Sequence, residues 1–175
     1  MELRSVEELM DLLYACRGAA GPEGRARGVD AHTHALRAAA LVRRSRPADK
    51  ELQVAALVQG LGPLLAPAAG ATGSERTADT ADEAGALRAA DAVRGLLGER
   101  VFRLVRQCAA GGAGRSGEDA TDNPGDAGDA DALLLRQARE EARAEGTGPG
   151  PGVLEDWRTV LELVAAGACR LNTVE

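Results

Sequence analysis

The two histidines of this chain, His32 and His34, are the residues best suited to metal binding or general-base chemistry, because a neutral imidazole can do both. Both lie between Val29 and Leu65, a stretch that also holds the most apolar run of the sequence. Helical spacing places His34 on the same helix face as three apolar residues, Ala38, Leu41 and Val42. His32 lies about 200° around that helix, so we expect it to be exposed.

A lone histidine on an apolar helix face is more often a hydrogen-bonded core residue than a metal ligand. The cysteines do little to decide whether His34 is a core residue or a metal ligand. Cys16, Cys108 and Cys169 are far apart and odd in number, and the sequence has no CxxC pair of the kind common in zinc and redox sites. We therefore expect reduced thiols in a cytosolic protein.

Two charged stretches are weaker candidates for ion binding. The basic residues Arg43, Arg44 and Arg46 could hold a phosphate or an acidic partner, but cations at a helix C-terminus are commonly solvated. The acidic stretch from Glu118 to Asp131 could bind calcium, but its spacing matches no EF-hand loop. We expect neither stretch to be a binding site.

Composition restricts the class of protein. The chain has 175 residues, enough for one domain with a real core. Its net charge of −6 argues against a general nucleic-acid or anionic-membrane binder. No apolar run approaches the roughly 20 residues of a membrane span, and the N-terminus shows no secretory signal. Aromatic residues are only 2%, so the core must consist of Leu, Val and Ala, which suits packed helices.

The elements that position these residues are all predicted to be helices, because no stretch alternates apolar and polar residues as a strand does. Ser5–Glu8 and Thr80–Glu83 have the pattern of capping boxes. Pro47 is placed to open a helix, and Gly98 to separate two others. The expected helices cover about 6–16, 30–46, 47–61, 80–97, 99–110, 131–145 and 153–171, with a mobile Gly- and Asp-rich loop at 111–130. The prediction is a single all-α domain over residues 1–175, a compact bundle of six to seven helices.

Five segments of the chain resemble, in the same order, the HD-domain metalloenzymes, which are helical proteins and often phosphohydrolases. The resemblance is to their branch of di-iron oxygenases that cleave phosphonates. HTHALRAAAL (32–41) resembles the helix with the first His ligand, and LQVAALVQGLGPLL (52–65) the run that ends in the His-Asp pair. Three later helices are matched by ERVFRLVRQCAA (99–110), LLLRQAREEAR (133–143) and LEDWRTVLELV (154–164).

Carried over one residue at a time, the ligand set of that family clearly survives only at His34. The His-Asp pair falls on Gln59 and Gly60, a later His on Cys108, and the final Asp near Arg139. Two further His positions fall on Pro63 and within 81–83. Two metal ions need several anionic or imidazole donors, and Arg139 would oppose them with a positive charge. The resemblance thus implies a remnant site without metal, made of His34, Gln59, Gly60, Cys108 and Arg139.

The resemblance implies a catalytically inactive HD homologue that binds a small anion or a protein partner and needs no cofactor. Within this remnant site, Gln59 could hydrogen-bond to His34. Cys108 could pair with His34, as a mononuclear metal site or as a nucleophile–base pair, or it could be a small core residue. The alternative is a working phosphohydrolase or phosphonate-cleaving oxygenase that holds Fe or another divalent metal in a remodelled site. Its carboxylates would come from Asp82, Glu83 and Glu140. A third hypothesis, an interaction subunit, requires Leu- and Ala-rich helix faces to be exposed.

Overall fold

The computed structural model describes residues 2–18, 30–65, 78–110, 127–143, 150 and 152–172. In these ranges the chain forms six α-helices and one 310 helix, and no strand, so the predicted all-α class is confirmed. The helices are α1 (Val6–Ala15), α2 (Ala31–Ser45), α3 (Lys50–Val58), the 310 helix (Gln59–Leu65), α4 (Ala78–Ala110), α5 (Ala127–Arg143) and α6 (Glu155–Asn172). Most of the predicted loop at 111–130 lies outside the described residues.

Side-chain caps define where the first helices begin. The Ser5 hydroxyl accepts the Glu8 N–H at 3.1 Å, and the Glu8 carboxylate accepts the Arg4 N–H at 2.7 Å. The predicted Ser5 cap is thus confirmed, but the Glu8 carboxylate reaches the N–H of Arg4, one residue before the Ser5 N–H that a capping box would use. At α2, the Asp30 carboxylate accepts the Thr33 N–H at 2.6 Å, so α2 begins where the sequence predicted.

Two other predicted helix starts are wrong. Pro47 does not open α3: it lies in a turn, and the Asp49 carboxylate caps the helix by accepting the Leu52 N–H at 3.1 Å. The Asp49 carboxylate accepts an N–H of the first turn, which a proline side chain cannot do, so the helix begins after Asp49. Thr80 does not cap α4, because that helix already begins at Ala78.

The helix α4 bends at Gly98, as the sequence predicted. Gly98 has φ 87° and ψ 173°, a backbone conformation that is accessible essentially to glycine alone. Helix α6 packs against the bend, and a Cβ atom at Gly98 would lie 3.1 Å from the Cβ of Ala168. Both the conformation and the close approach therefore require glycine at this position.

The centre of the bundle is α3. Every residue from Leu52 to Val58 is buried, as expected for the most apolar run of the sequence. One continuous apolar cluster includes residues from all six α-helices and the 310 helix, so the described part of the chain shares a single core. Among the residues that the structure describes, the exposed large apolar ones are Leu133, Val153 and Leu163. None of the described helices is long and apolar enough to cross a membrane.

Hydrogen bonds along α4 show in which direction the neighbouring helices run. Arg100 hydrogen-bonds to Asp49, at the start of α3, and to Asp131, near the start of α5. Near the other end of α4, Cys108 hydrogen-bonds to Gln59, the residue that follows the end of α3. The α3–310 segment and the second half of α4 therefore run in the same direction. Their later ends meet where the predicted remnant site lies.

Candidate functional site

His34 is half-buried on α2 and is held by the backbone of α5. Its Nε2 donates a hydrogen bond to the Arg139 carbonyl oxygen at 3.0 Å, which places the proton of the neutral ring on Nε2. Burial is the largest influence on the ring and lowers the pKa of His34. The positive charges of Arg139 and Arg143 lower this pKa further, while the bond to the carbonyl and the charge of Glu140 oppose the shift. His34 is therefore a neutral imidazole at physiological pH.

Gln59 is buried at the start of the 310 helix and pairs with Cys108, not with His34. The Cys108 thiol donates to Gln59 Oε1, with 3.3 Å between sulfur and oxygen. The predicted bond from Gln59 to His34 is therefore wrong: α5 supplies the partner of His34 instead. The other polar atom of the amide, Gln59 Nε2, is buried and has no hydrogen-bond partner. An unsatisfied buried donor of this kind destabilises a fold by about 1–3 kcal/mol.

Cys108 lies in the core, only 4% exposed. Burial raises the pKa of its thiol, and the positive charges of Arg139 and Arg136 oppose that shift without reversing it. The protonated thiol faces Gln59, so it does not form the nucleophile–base pair with His34 that the sequence left open. The other hypothesis, a small core residue, fits the burial and the pKa of Cys108.

Gly60 and Arg139 complete the predicted set. A Cβ atom at Gly60 would meet the Cβ of Ala35 at 3.6 Å, so Gly60 lies against the helix that carries His34. The charge of Arg139 acts on both His34 and Cys108. The structure therefore brings all five predicted residues to one region between α2, the 310 helix, α4 and α5.

The region is poor in metal-binding groups. No cluster of three or more His, Cys, Asp or Glu suited to a metal ion occurs in the part of the chain that the structure describes. Glu140, one carboxylate of the alternative remodelled site, is exposed and pairs with Arg143 at 2.9 Å. The side chains of Asp82, Glu83 and Pro63 lie outside the described residues.

The prediction that His32 is exposed is wrong. His32 is only 7% exposed, because α1 covers the second face of α2. Its Nδ1 donates to the Leu13 carbonyl oxygen at 2.8 Å, and its ring stacks on Tyr14, with 6.1 Å between the ring centroids. The Tyr14 hydroxyl donates in turn to Glu155 of α6. These contacts connect three helices and give His32 a structural role.

No sequence pattern pointed to Arg100, which makes four hydrogen bonds to three carboxylates. Its guanidinium donates to Asp49 at 2.5 and 2.7 Å, to Glu51 at 2.7 Å and to Asp131 at 3.2 Å. The basic end of α2 takes part in packing, since Arg43 lies over the Trp157 ring at 5.9 Å. Both arginines therefore join neighbouring helices.

Comparison with known proteins gives no relative: no family model, no curated protein and no solved structure matches this chain. The relationship to the HD superfamily therefore stays a prediction from sequence segments.

Proposed function

We propose that this chain is a non-catalytic member of the HD superfamily that binds a small anion between α2, the 310 helix, α4 and α5. The observation that carries this proposal is the position of Arg139. Its positive charge acts on two side chains from different helices, His34 and Cys108, in a region where both are neutral. A guanidinium in a partly buried site favours an anionic ligand through charge-assisted hydrogen bonds.

The chemical character of the other groups supports an anion over a metal cation. The Nε2–H of His34 donates to a carbonyl oxygen, and burial keeps the Cys108 thiol protonated. Gly60 has no side chain, and Gln59 turns its oxygen toward the thiol. Metal ions are held by several deprotonated thiols, carboxylates or neutral imidazoles. This set offers one imidazole, that of His34, and places a positive charge beside it.

The test is titration of the purified chain with formate, acetate, phosphate and methylphosphonate, followed by calorimetry and thermal unfolding. A ligand at 100 times its Kd stabilises a fold by about 2.7 kcal/mol, which raises Tm by about 5–10 °C in a domain of this size. We expect at least one of these anions to produce such a rise. Metal analysis of the same sample is expected to show no stoichiometric iron, manganese or zinc.

The matched variants are Arg139→Gln and Arg158→Gln. Arg139→Gln removes the charge but keeps the backbone carbonyl that holds His34. Arg158 lies on α6, which carries none of the five predicted site residues, and it pairs with Glu7 of α1 at 3.3 Å. We expect Arg139→Gln to lose the anion response and Arg158→Gln to keep it. Equal responses in both variants, or none in the parent protein, would overturn the proposal.

A further inference from the structure

We propose that the exposed face of α6 is a contact between two copies of this chain, in which the two α6 helices pack antiparallel about a two-fold axis at Leu163. This inference concerns a different surface from the anion site and does not depend on it. It is carried by two observations together. Leu163 is the most exposed large apolar side chain of the described residues, at 59%, and opposite charges lie at equal distances on either side of it.

The contact surface is a stripe along the outer face of α6. The opposite face of this helix, which includes Trp157 and Leu161, is buried in the core. The residues of the outer stripe recur at intervals of three and four, the spacing of one helix face. All of them are exposed, and together we call them the α6 stripe: Asp156, Thr159, Leu163, Ala166 and Arg170.

The middle of the α6 stripe has the shape that a second helix needs. Leu163 stands between two smaller residues, Thr159 and Ala166. Beside them is Gly167, where a Cβ atom would meet no described atom within 4 Å. Small residues on both sides of a leucine let another helix approach closely, and the leucine then fills the space between the two. Removing Leu163 from water favours such a contact.

The charges at the two ends of the α6 stripe select a second copy as the partner. Asp156 precedes Leu163 by seven residues, and Arg170 follows it by seven, which is close to two helical turns in each direction. A rotation by 180° about an axis at Leu163 therefore places Asp156 of each copy beside Arg170 of the other. The stripe thus forms two opposite-charge pairs with itself, around two leucines in contact.

The same charges fix the direction of the two helices. A parallel pair would place Asp156 on Asp156 and Arg170 on Arg170, and like charges repel. Asp156 is able to take an arginine, since its only described bond is a long one, 3.5 Å from the Val153 N–H. Glu162, at the edge of the stripe, lies 4.0 Å from Arg158 of its own helix, so its charge is partly balanced.

The first experiment measures the oligomeric state of the full chain by sedimentation velocity, at about 10–500 μM because an interface of one helix pair is small. We expect a monomer–dimer equilibrium in this range. Leu163→Glu should raise the Kd of the dimer about tenfold or more, because it loses two buried leucines. Leu133→Glu is the matched control: Leu133 is similarly exposed, at 51%, but lies on α5, so this variant should dimerise as the parent does. A monomeric parent, or equal effects of the two variants, would overturn the proposal.

The second experiment tests the charge pairs. An acid in the first turn and a base in the last also stabilise α6 through its dipole, so a role within one copy must be separated from a role between copies. Asp156→Arg leaves the stripe with two positive ends, and Arg170→Asp leaves it with two negative ends. Each variant alone should be monomeric, and an equimolar mixture should form a heterodimer. Failure of the mixture to associate would show that the charges act only within one helix and would overturn the pairing.

The third experiment measures direction by oxidative cross-linking in a Cys169→Ser background, which removes the exposed thiol. Leu163→Cys lies on the axis, so it should form a disulfide-linked dimer. Thr159→Cys is the control, because it lies about 12 Å along the helix from its copy in the antiparallel pair, which is too far for a disulfide. Dimers from Leu163→Cys alone are the expected result. Dimers from both variants would contradict the antiparallel arrangement, and dimers from neither would contradict the contact.

Discussion

Burial and the positive charges of two arginines all lower the pKa of His34. Its ring is fixed by one bond to a backbone carbonyl, and the charges of Arg139 and Arg143 disfavour its protonation. The folded protein therefore holds a neutral imidazole that the unfolded chain would protonate near its ordinary pKa of about 6.5. This difference makes the stability of the fold depend on pH through a single side chain.

We predict that the parent protein loses more stability than His34→Gln as the pH falls from 7.5 to 5.5. Because the pKa of His34 is lowered in the folded state, the unfolded state binds more protons below about pH 6.5. Its contribution is thus present above that pH and is lost toward the lowered pKa. Urea unfolding at three pH values measures the two slopes. Parallel slopes in the parent and the variant would contradict the prediction.

Two glycines of the 310 helix differ in the space that their surroundings leave for a side chain. A Cβ atom at Gly60 would meet the Cβ of Ala35 at 3.6 Å, an ordinary contact, whereas a Cβ at Gly62 would lie 2.4 Å from the carbonyl carbon of Gly85. The second distance is impossible without backbone movement. The 310 helix and α4 therefore touch at Gly62 and Gly85, and Gly60 has room for a side chain.

We predict that Gly62→Ala destabilises the fold by about 2–4 kcal/mol, an overpacking effect on rigid backbone. Gly60→Ala, the matched control two residues earlier, should change the free energy of unfolding by less than about 1 kcal/mol. Chemical denaturation of both variants, monitored by circular dichroism, measures the difference. Similar losses in the two variants would show that the close approach is not where the structure places it.

At the scale of helices, Arg100 joins α3, α4 and α5. Its guanidinium lies between three carboxylates, those of Asp49, Glu51 and Asp131. The hydrogen bond from Arg100 is the largest influence on the Asp49 carboxyl and lowers its pKa. The same carboxylate caps α3, so one residue connects a helix start to two neighbouring helices.

We predict that Arg100→Met destabilises the protein by about 1–2 kcal/mol, because three like charges remain together without their cation. Part of that loss should be recovered in about 1 M NaCl, which screens the repulsion. Arg158→Met is the control: its pairs with Glu7 and Glu162 are exposed, so it should lose less than about 0.5 kcal/mol. Equal losses in the two variants, or no effect of salt, would contradict this role of Arg100.

Much of the helical architecture was predictable, since it follows from local signals. Ser5 and Asp30 cap their helices, Gly98 bends α4, and the run from Leu52 to Val58 is buried on all sides. The predicted site residues also meet in one region. Their pairing was not predictable, because it depends on which helix covers which face. His32 is buried because α1 covers a second face of α2, which a single apolar stripe does not reveal. Gln59 pairs with Cys108, and the partner of His34 is the Arg139 carbonyl oxygen on another helix.

For the molecule as a whole, the continuous core predicts one cooperative unfolding unit. We predict that in native conditions at pH 8 a thiol reagent modifies Cys169, which is exposed, well before Cys16 and Cys108. Burial, with the charge of Asp30, raises the pKa of Cys16 to about 11, so little thiolate is present there. With increasing urea, Cys16 and Cys108 should become reactive at the same concentration. Earlier reaction of either one would show that the helices unfold in separate units.

The only indole of the chain is that of Trp157, which is 2% exposed and lies beneath the guanidinium of Arg43. Its fluorescence therefore reports on the buried face of α6. The emission maximum of the native protein should be shifted to the blue and should move to longer wavelength when α6 separates. The chain thus contains a single natural optical reporter of helix docking, and no label is needed to follow it.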